Sequence, residues 1–146
     1  MSILDGLNEH IARHRNHDFL NAAMAASALA TQADGTVTLS ERYRIDGILA
    51  RLERLRIYDP HKVARILDGF LTELRDNPEA AHGVLLHKIR RIAEDRKAAE
   101  LIVRIALSVS HSDGGFSASK RARFAEICAV LGYAPGCILG ERRSGE

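Results

Sequence analysis

The feature that most constrains this fold is a stretch of sequence that occurs twice. The first copy runs from Ala30 to Arg42 and the second from Val109 to Arg121, and each places Asp-Gly between an apolar segment and an amphipathic one. The same offset of 79 residues that pairs Asp34 with Asp113 also pairs Gly35 with Gly114, Ser40 with Ser119, Arg42 with Arg121, Arg44 with Arg123, Ile48 with Ile127 and Leu52 with Leu131. Repetition in one register indicates a fold built from two similar units.

Length and composition favour a single soluble helical domain. A chain of 146 residues can bury roughly two thirds of its unfolded surface in one core. Its few aromatic residues, three prolines and absent Trp are typical of a helical core built from Ala, Leu and Ile. The apolar runs fall short of the roughly 20 residues that span a bilayer, and the N-terminus does not resemble a signal peptide. We therefore expect a cytoplasmic protein without membrane insertion.

Hydrophobic spacing predicts that residues 1–146 form a single all-α domain of about seven helices. No segment alternates between apolar and polar residues as a strand would. The predicted elements are an N-terminal helix in 1–17, a first hairpin in 18–57, a middle helical pair in 60–95, a second hairpin in 96–133 and a C-terminal tail in 134–146. Each hairpin consists of a helix, an Asp-Gly turn and a second helix, and the two hairpins are expected to be pseudo-symmetric around a central helical core.

Local signals place the helix ends and the core. The Ala-rich, nearly charge-free segment 18–33 is expected to be the central helix. Thr38 and Glu41 have the spacing of a capping box, and Pro60 and Pro78 fit the first turns of the middle helices. The residues expected to face inward in the fourth and last segments are Val84, Leu85, Ile89, Ile92, Phe124, Ile127, Cys128 and Leu131.

The Asp-Gly turns have part of the pattern of an EF-hand calcium loop. Gly35 and Glu41 have the spacing of the sixth and twelfth loop positions, where a sharp turn and a bidentate carboxylate are needed. The first and third positions hold Ala30 and Gln32, and the second copy has Lys120 at its twelfth position. Neither loop is therefore a self-sufficient EF-hand.

A site shared between the turns is still chemically reasonable. If pseudo-twofold packing brings the turns together, Asp34, Glu41 and Asp113 form an oxygen-only metal site suited to Ca²⁺, Mg²⁺ or Mn²⁺. The alternative is purely structural, because Asp-Gly is a common turn and Glu41 already has a capping role. Both interpretations stay open at this point.

Other groups of polar residues carry weaker signals. His10, His14 and His17 share one helical face, but they lack the companions of a known zinc motif, so a solvated helix is favoured. Ser110, His111 and Asp113 have the residue types of a hydrolytic triad, but near neighbours along one segment cannot adopt its geometry.

The basic residues and the cysteines also favour structural interpretations. Arg90, Arg91, Arg96 and Lys97 form one basic group, and Lys120, Arg121 and Arg123 form another. Net charge is only +2, acidic residues are interspersed and aromatics are not, so a solvated face with ion pairs is favoured over nucleic-acid binding. Cys128 and Cys137 lack a metal or disulfide spacing and are expected to be buried thiols.

The pattern as a whole resembles the TerB family over residues 18–133. An Ala-rich helix runs into Ala-Asp-Gly, Ser-Glu opens the next helix, and the repeat ends at Val130-Leu131-Gly132-Tyr133. TerB proteins are small helical proteins associated with bacterial tellurite resistance. The resemblance implies metal binding by Asp34, Glu41 and Asp113, and action through complexes with other stress-response proteins, some membrane-associated, instead of catalysis. Lys120 departs from the acidic pattern.

The sequence is therefore compatible with three different functions. The first is a non-enzymatic TerB-like module that binds a divalent cation and docks a partner protein in a bacterial stress response. The second is a metal-independent protein-interaction adaptor, in which the turns are only capped helix junctions. The third is a metal-dependent enzyme, which needs a water-activating base and a concave pocket beside the turns; no catalytic residue is assigned.

Overall fold

Helices make up almost all of the described structure. The computed structural model describes residues 3–34, 38–51, 59–111 and 116–133, with side chains in 17–33, 38–39, 42–47, 59–111 and 116–133. Its elements are α1 (Ile3–Thr31), a short 3-10 turn η1 (Gln32–Asp34), α2 (Leu39–Arg51), α3 (Pro60–Asp76), α4 (Pro78–Arg90), α5 (Arg96–Ser110) and α6 (Ala118–Leu131). The described residues contain no strand, which confirms the all-α fold class.

The first helix is one element where two were predicted. We expected a helix in 1–17 and a separate central helix from Asp18, but α1 continues unbroken for 29 residues. The described residues therefore hold six α-helices instead of about seven. The chain changes from polar to apolar near Asp18, but Gly and Pro are absent there, and a change of polarity alone does not interrupt backbone hydrogen bonds.

The C-terminal half of α1 is the centre of the fold. From Phe19 to Thr31 every residue except Asn21 is at most 1% exposed. Half of these residues are Ala, whose small side chain lets neighbouring helices approach closely. α3, α4, α5 and α6 all pack against α1, as the charge-free composition of this segment predicts. None of the described helices meets the combined demands of length and hydrophobicity that a bilayer places on a spanning segment.

Capping residues set the ends of the middle helices. The Asp59 side chain accepts a hydrogen bond from the backbone N–H of His61 at 2.9 Å, and Pro60 occupies the first turn of α3. Asn77 ends α3, and Pro78 starts α4. These are the boundaries that Asp-Pro and Asn-Pro predict, because proline fits a helix start but cannot continue a helix.

α3 and α4 each bury one side. Val63 and Leu67 are buried in α3, and Leu85 and Ile89 are buried in α4. The prediction that Val84 faces inward is wrong, since Val84 is 55% exposed. It precedes Leu85 by one position, which turns its side chain about 100° away from the buried stripe.

α6 ends as its sequence predicts. Phe124, Ile127, Cys128 and Leu131 are all at most 1% exposed. Gly132 adopts a left-handed conformation with φ of 82°. The backbone N–H of Tyr133 donates to the carbonyl of Cys128 at 2.8 Å, which gives the bond pattern of a Schellman motif.

Candidate functional site

The helices that lead into the two turns end in the same way. Thr31 and Ser110, which the offset of 79 residues pairs, are 0% and 1% exposed. The hydroxyl of Thr31 donates to the carbonyl of Ala28 at 3.0 Å, and that of Ser110 donates to Ala106 at 2.7 Å. Each hydroxyl group therefore donates a hydrogen bond to a carbonyl of its own helix. A buried serine of this kind is not arranged as a nucleophile, which agrees with rejection of the triad.

The helices that leave the turns begin in the same register. The Oγ atom of Ser117 accepts from the backbone N–H of Lys120 at 3.2 Å, and its carbonyl accepts from Arg121 at 2.9 Å. At the paired position the carbonyl of Thr38 accepts from the N–H of Arg42 at 3.1 Å. Thr38 and Ser117 therefore hold equivalent N-cap positions.

The two hairpins pack crosswise. η1, which follows the first helix of the first hairpin, packs against α6, and α2 packs against α5. α1 also packs against both helices of the second hairpin, α5 and α6, so the hairpins contact each other through their first helices as well. A site shared between two Asp-Gly turns requires contact between the hairpins, and these contacts provide it.

Two of the three predicted ligands lie on described backbone. Asp34 is the last residue of η1, and Glu41 lies in the first turn of α2. Their side chains, and the whole of Asp113, lie outside the described residues. Among the side chains that the structure describes, no three or more His, Cys, Asp or Glu residues form a group that could hold a metal ion. Convergence of the three carboxylates stays a prediction.

An aromatic contact joins the two ends of the second turn. His111, before Asp113, stacks on Phe116, after it, with ring centroids 4.3 Å apart and planes inclined by 26°. Phe116 meets Phe124 of the core edge-on at 6.2 Å, and the Arg121 guanidinium lies 4.9 Å above the Phe116 ring. This contact was not predicted from the sequence, although a lone Phe after Asp-Gly-Gly was its signal.

Lys120 departs from the pseudo-symmetry of the two copies. It pairs with Glu41 in the repeat, yet it is only 3% exposed. Lysine is almost never fully buried unless its charge is compensated. The carboxylates of the turns suit a hard divalent cation, but a buried ammonium in the helix that contacts η1 adds positive charge. The residue types therefore fit one ion between the halves better than one in each turn.

The first basic group contacts the protein itself. Arg91 Nη2 lies 3.8 Å from Asp18 Oδ1. Arg96 Nη1 donates to the carbonyls of Ala93 and Leu131, each at 2.9 Å, and its guanidinium covers the Tyr133 ring at 4.5 Å. Arg96 thereby connects the start of α5 with the end of α6. These contacts agree with the preference for intramolecular pairing over nucleic-acid binding.

The second basic group contributes to a network between α4 and α6. His82 Nε2 lies 2.6 Å from Glu126 Oε2, and Arg123 Nη1 lies 3.0 Å from Glu126 Oε1. The same Arg123 atom is 2.7 Å from His82 Nδ1. His82 and Glu126 are 44 positions apart in sequence, so only the topology of the fold could have revealed this network.

The remaining histidine and cysteine predictions are tested in part. His10, His14 and His17 all lie in α1, and the His17 side chain is exposed, whereas those of the other two are outside the described set. Cys128 is fully buried, and burial raises the pKa of its thiol to about 11. This confirms the prediction for Cys128, while Cys137 lies outside the described residues.

A cleft of about 420 Å³ opens between α1 and the start of α5. It is lined by Asp18, Phe19, Arg91, Ile92, Glu94, Asp95 and Ala98. The second turn follows the opposite end of α5, a helix of 15 residues and hence about 22 Å long. This cleft is therefore not beside the Asp-Gly turns, where the enzyme hypothesis needs a pocket.

Comparison with known proteins decides the family. The family model described as Tellurite resistance protein TerB matches residues 20–139. The chain belongs to the TerB family. Tellurium resistance protein TerB of Alcaligenes sp is 23% identical to it over 101 residues, which cover 69% of this chain and 83% of that protein. No solved structure matches the chain.

The TerB match includes both turns. It begins at Leu20, inside α1, and extends beyond the end of α6. Both Asp-Gly turns and both hairpins therefore fall within the TerB region, and the resemblance predicted for residues 18–133 is confirmed. The part of α1 before Leu20 precedes that region.

Proposed function

We propose that this TerB chain is a non-enzymatic helical module of a bacterial tellurite-resistance or stress-response system, and that it binds a divalent cation at its Asp-Gly turns and docks partner proteins. The name of the TerB relative and the family match support the link to tellurite. The observation that carries the metal site is the packing of η1 against α6. That packing joins the element ending in Asp34 to the helix that follows the second turn.

In this proposal the carboxylates of Asp34, Glu41 and Asp113 hold one Ca²⁺, Mg²⁺ or Mn²⁺ between the two halves. An ion that binds the folded chain and not the unfolded one stabilises the fold by mass action. It also fixes the two hairpins relative to each other, because its ligands come from both. Ion occupancy is thereby able to change the surface that a partner recognises.

Calorimetric titration with Ca²⁺, Mg²⁺ and Mn²⁺ tests the metal site. We expect binding by the natural chain, and its loss in Asp34→Asn and Asp113→Asn, because each substitution removes a charged oxygen ligand. Asp76→Asn is the matched control, since Asp76 is an exposed carboxylate at the end of α3 that pairs with Arg75 at 3.2 Å. Binding that survives both substitutions, or no binding by the natural chain, overturns the metal role.

A pull-down from the native cell, with and without chelator, tests the link between metal and partner. The proposal places the chain in the cytoplasm, with other stress-response proteins, some of them membrane-associated, as its partners. Capture of the same partners should be lost with chelator and with Asp34→Asn. If neither the chelator nor Asp34→Asn changes the capture of these partners, the result contradicts a metal-gated module.

A metal-independent adaptor is the second candidate, and one observation favours it. Leu39 and Tyr43 are 85% and 80% exposed and lie four residues apart, so they share one face of α2. Partner capture that is unaffected by chelator but lost in a Leu39→Ser/Tyr43→Ser double variant would support the adaptor. Val84→Ser is the control, since Val84 is an exposed apolar residue on α4.

A further inference from the structure

The cleft between α1 and the start of α5 has a buried apolar floor. Phe19 and Ala98 are each 1% exposed and Ile92 is 6% exposed, and all three line the cleft. Its volume of about 420 Å³ lies within the range of roughly 300–1,000 Å³ that is usual for clefts that bind small organic molecules. The cleft therefore has room for a small molecule and an apolar surface for it to cover.

Charged side chains surround this floor, and carboxylates outnumber cations among them. Asp18, Glu94 and Asp95 line the cleft together with one guanidinium, that of Arg91. Arg91 Nη2 lies 3.8 Å from Asp18 Oδ1, and the side chain of Arg91 is 54% exposed, so this ion pair is weak. The part of the lining that the structure describes therefore carries a net negative charge.

The turn between α4 and α5, which presents the exposed Glu94, is held by hydrogen bonds. The backbone N–H of Ala93 donates to the carbonyl of Arg90 at 3.0 Å. Asp95 accepts at 3.1 Å from the backbone N–H of Ala98 and so caps α5. Because these bonds already order the rim of the cleft, a ligand does not have to order it on binding.

This lining favours one class of ligand over two others. An anion would meet three carboxylates and a single guanidinium. A metal ion would leave the apolar floor uncovered, and the side chains that the structure describes form no group of three or more His, Cys, Asp or Glu that could hold one. An organic cation is complementary to both parts of the cleft, because its charge matches the carboxylates and its hydrocarbon part covers the floor.

We propose that this cleft binds a small primary amine. The ammonium group is held by the carboxylates of Asp18 and Glu94, and the alkyl chain lies on the apolar floor. Arg91 competes with the ammonium for Asp18 and so lowers the affinity. The site lies at the end of α5 opposite the second Asp-Gly turn, so it does not depend on metal binding at the turns.

A series of ligands of matched length tests the proposal on the natural chain. ¹⁵N-labelled protein at pH 7, with EDTA present, is titrated with pentylamine, pentan-1-ol and pentanoate, and the shifts of backbone amides are followed by NMR. We expect the shifts to centre on the cleft, with pentylamine binding most tightly and pentanoate most weakly. Methylamine should bind more weakly than pentylamine, by about fourfold for each methylene that the cleft buries.

Several outcomes of this series contradict the proposal. Pentylamine that does not bind, or that shifts amides elsewhere, removes the site. Pentan-1-ol or pentanoate that binds as tightly as pentylamine shows that the carboxylates do not select a cation. Methylamine that binds as tightly as pentylamine shows that the floor contributes nothing.

Substitutions in the charged rim give a second test with effects in opposite directions. Asp18→Asn and Glu94→Gln should each lower the affinity for pentylamine about fivefold, because each removes one charge beside the ammonium, and Arg91→Gln should raise it by a similar factor. Glu79→Gln is the matched control, since Glu79 lies in the first turn of α4, at the end of that helix far from the cleft. Rim variants that change the affinity no more than Glu79→Gln overturn the proposal, and if a rim variant does not fold, the ligand series decides.

Discussion

The first hairpin, α1 and α2, and the second, α5 and α6, share one register but are embedded differently. Between Phe19 and Thr31, α1 is buried at every residue except Asn21, whereas α5 presents Arg104 to solvent. The second helices also differ. α6 packs against α1, α4, α5 and η1, whereas α2, among the residues that the structure describes, packs mainly against α5. The paired helices therefore share one sequence register, but they differ in the neighbouring helices that pack against them.

Paired side chains illustrate the same difference. Arg42 and Arg121 are separated by the repeat offset, but Arg42 Nη1 pairs with Asp68 of α3 at 2.5 Å, whereas the Arg121 guanidinium lies over the ring of Phe116. An arginine kept at one register position therefore has an ionic contact in one hairpin and an aromatic contact in the other.

The largest expected effect comes from truncating the core of the second hairpin. Phe124→Ala should lower the free energy of unfolding by about 3–5 kcal/mol, because it removes a ring that is 1% exposed and leaves a cavity. The paired residue Ile45 is also 1% exposed, but Ile45→Ala should cost about 2 kcal/mol, because it removes fewer atoms than the loss of a phenyl ring and because the described part of α2 contacts fewer helices than α6 does. Urea denaturation measures both. An equal or larger cost at Ile45 would mean that both hairpins are equally embedded.

A smaller effect is expected where α5 and α6 are joined. Arg96→Ala should cost about 2 kcal/mol, because two carbonyl hydrogen bonds and the contact with Tyr133 are lost. Arg104→Ala is the control, since Arg104 pairs with Glu100 at 2.8 Å on the exposed face, and its loss should cost less than about 0.5 kcal/mol. Equal costs for the two variants would show that Arg96 does not connect the helices.

The caps provide a symmetric test. Ser117→Ala should cost about 1 kcal/mol through loss of the side-chain cap. We expect the same cost for Thr38→Ala, because Thr38 holds the equivalent N-cap position and its hydroxyl has the spacing of a capping box. Both are measured by thermal and urea unfolding. A Thr38→Ala chain as stable as the natural one would restrict the cap to the second hairpin.

The smallest effect at neutral pH concerns Cys128. Burial raises the pKa of its thiol from 9.0 to about 11, so the folded chain keeps the proton over a range where the unfolded chain releases it. Stability should therefore be unaffected by this thiol below pH 9, fall with pH between 9 and 11, and lose this dependence above 11. Urea unfolding over this pH range measures the effect, and Cys128→Ala is the control that isolates it from other groups. Identical pH profiles would contradict the raised pKa.

Much of the fold could be predicted from the sequence because its signals are local. Spacing of apolar residues placed the buried stripe of α6, and Asp-Pro, Asn-Pro and Gly132 placed helix ends. The continuous α1 was not predicted, because a helix boundary was placed at the change of polarity near Asp18. A change of polarity alone does not end a helix. Val84 was misplaced because two adjacent apolar residues do not show which one faces the core.

The candidate site could be predicted only in part, because its decisive contacts are not local. The repeat named Asp34, Glu41 and Asp113, and the crosswise packing of the hairpins supports their meeting, but no sequence pattern gives a distance between turns. The burial of Lys120 could not be predicted from the sequence either, since a lysine in an amphipathic helix is normally solvated. The contacts of His82 with α6 required the fold itself.

The continuous α1 has a mechanical consequence. Its 29 residues form one helix about 43 Å long. The C-terminal end of this helix leads through η1 to Asp34. The first 17 of those residues precede the family match. If the proposed ion shifts the turn, a continuous helix would carry that shift to this leading segment. α1 therefore connects the Asp34 turn, through one unbroken helix, with a part of the chain that precedes the family match.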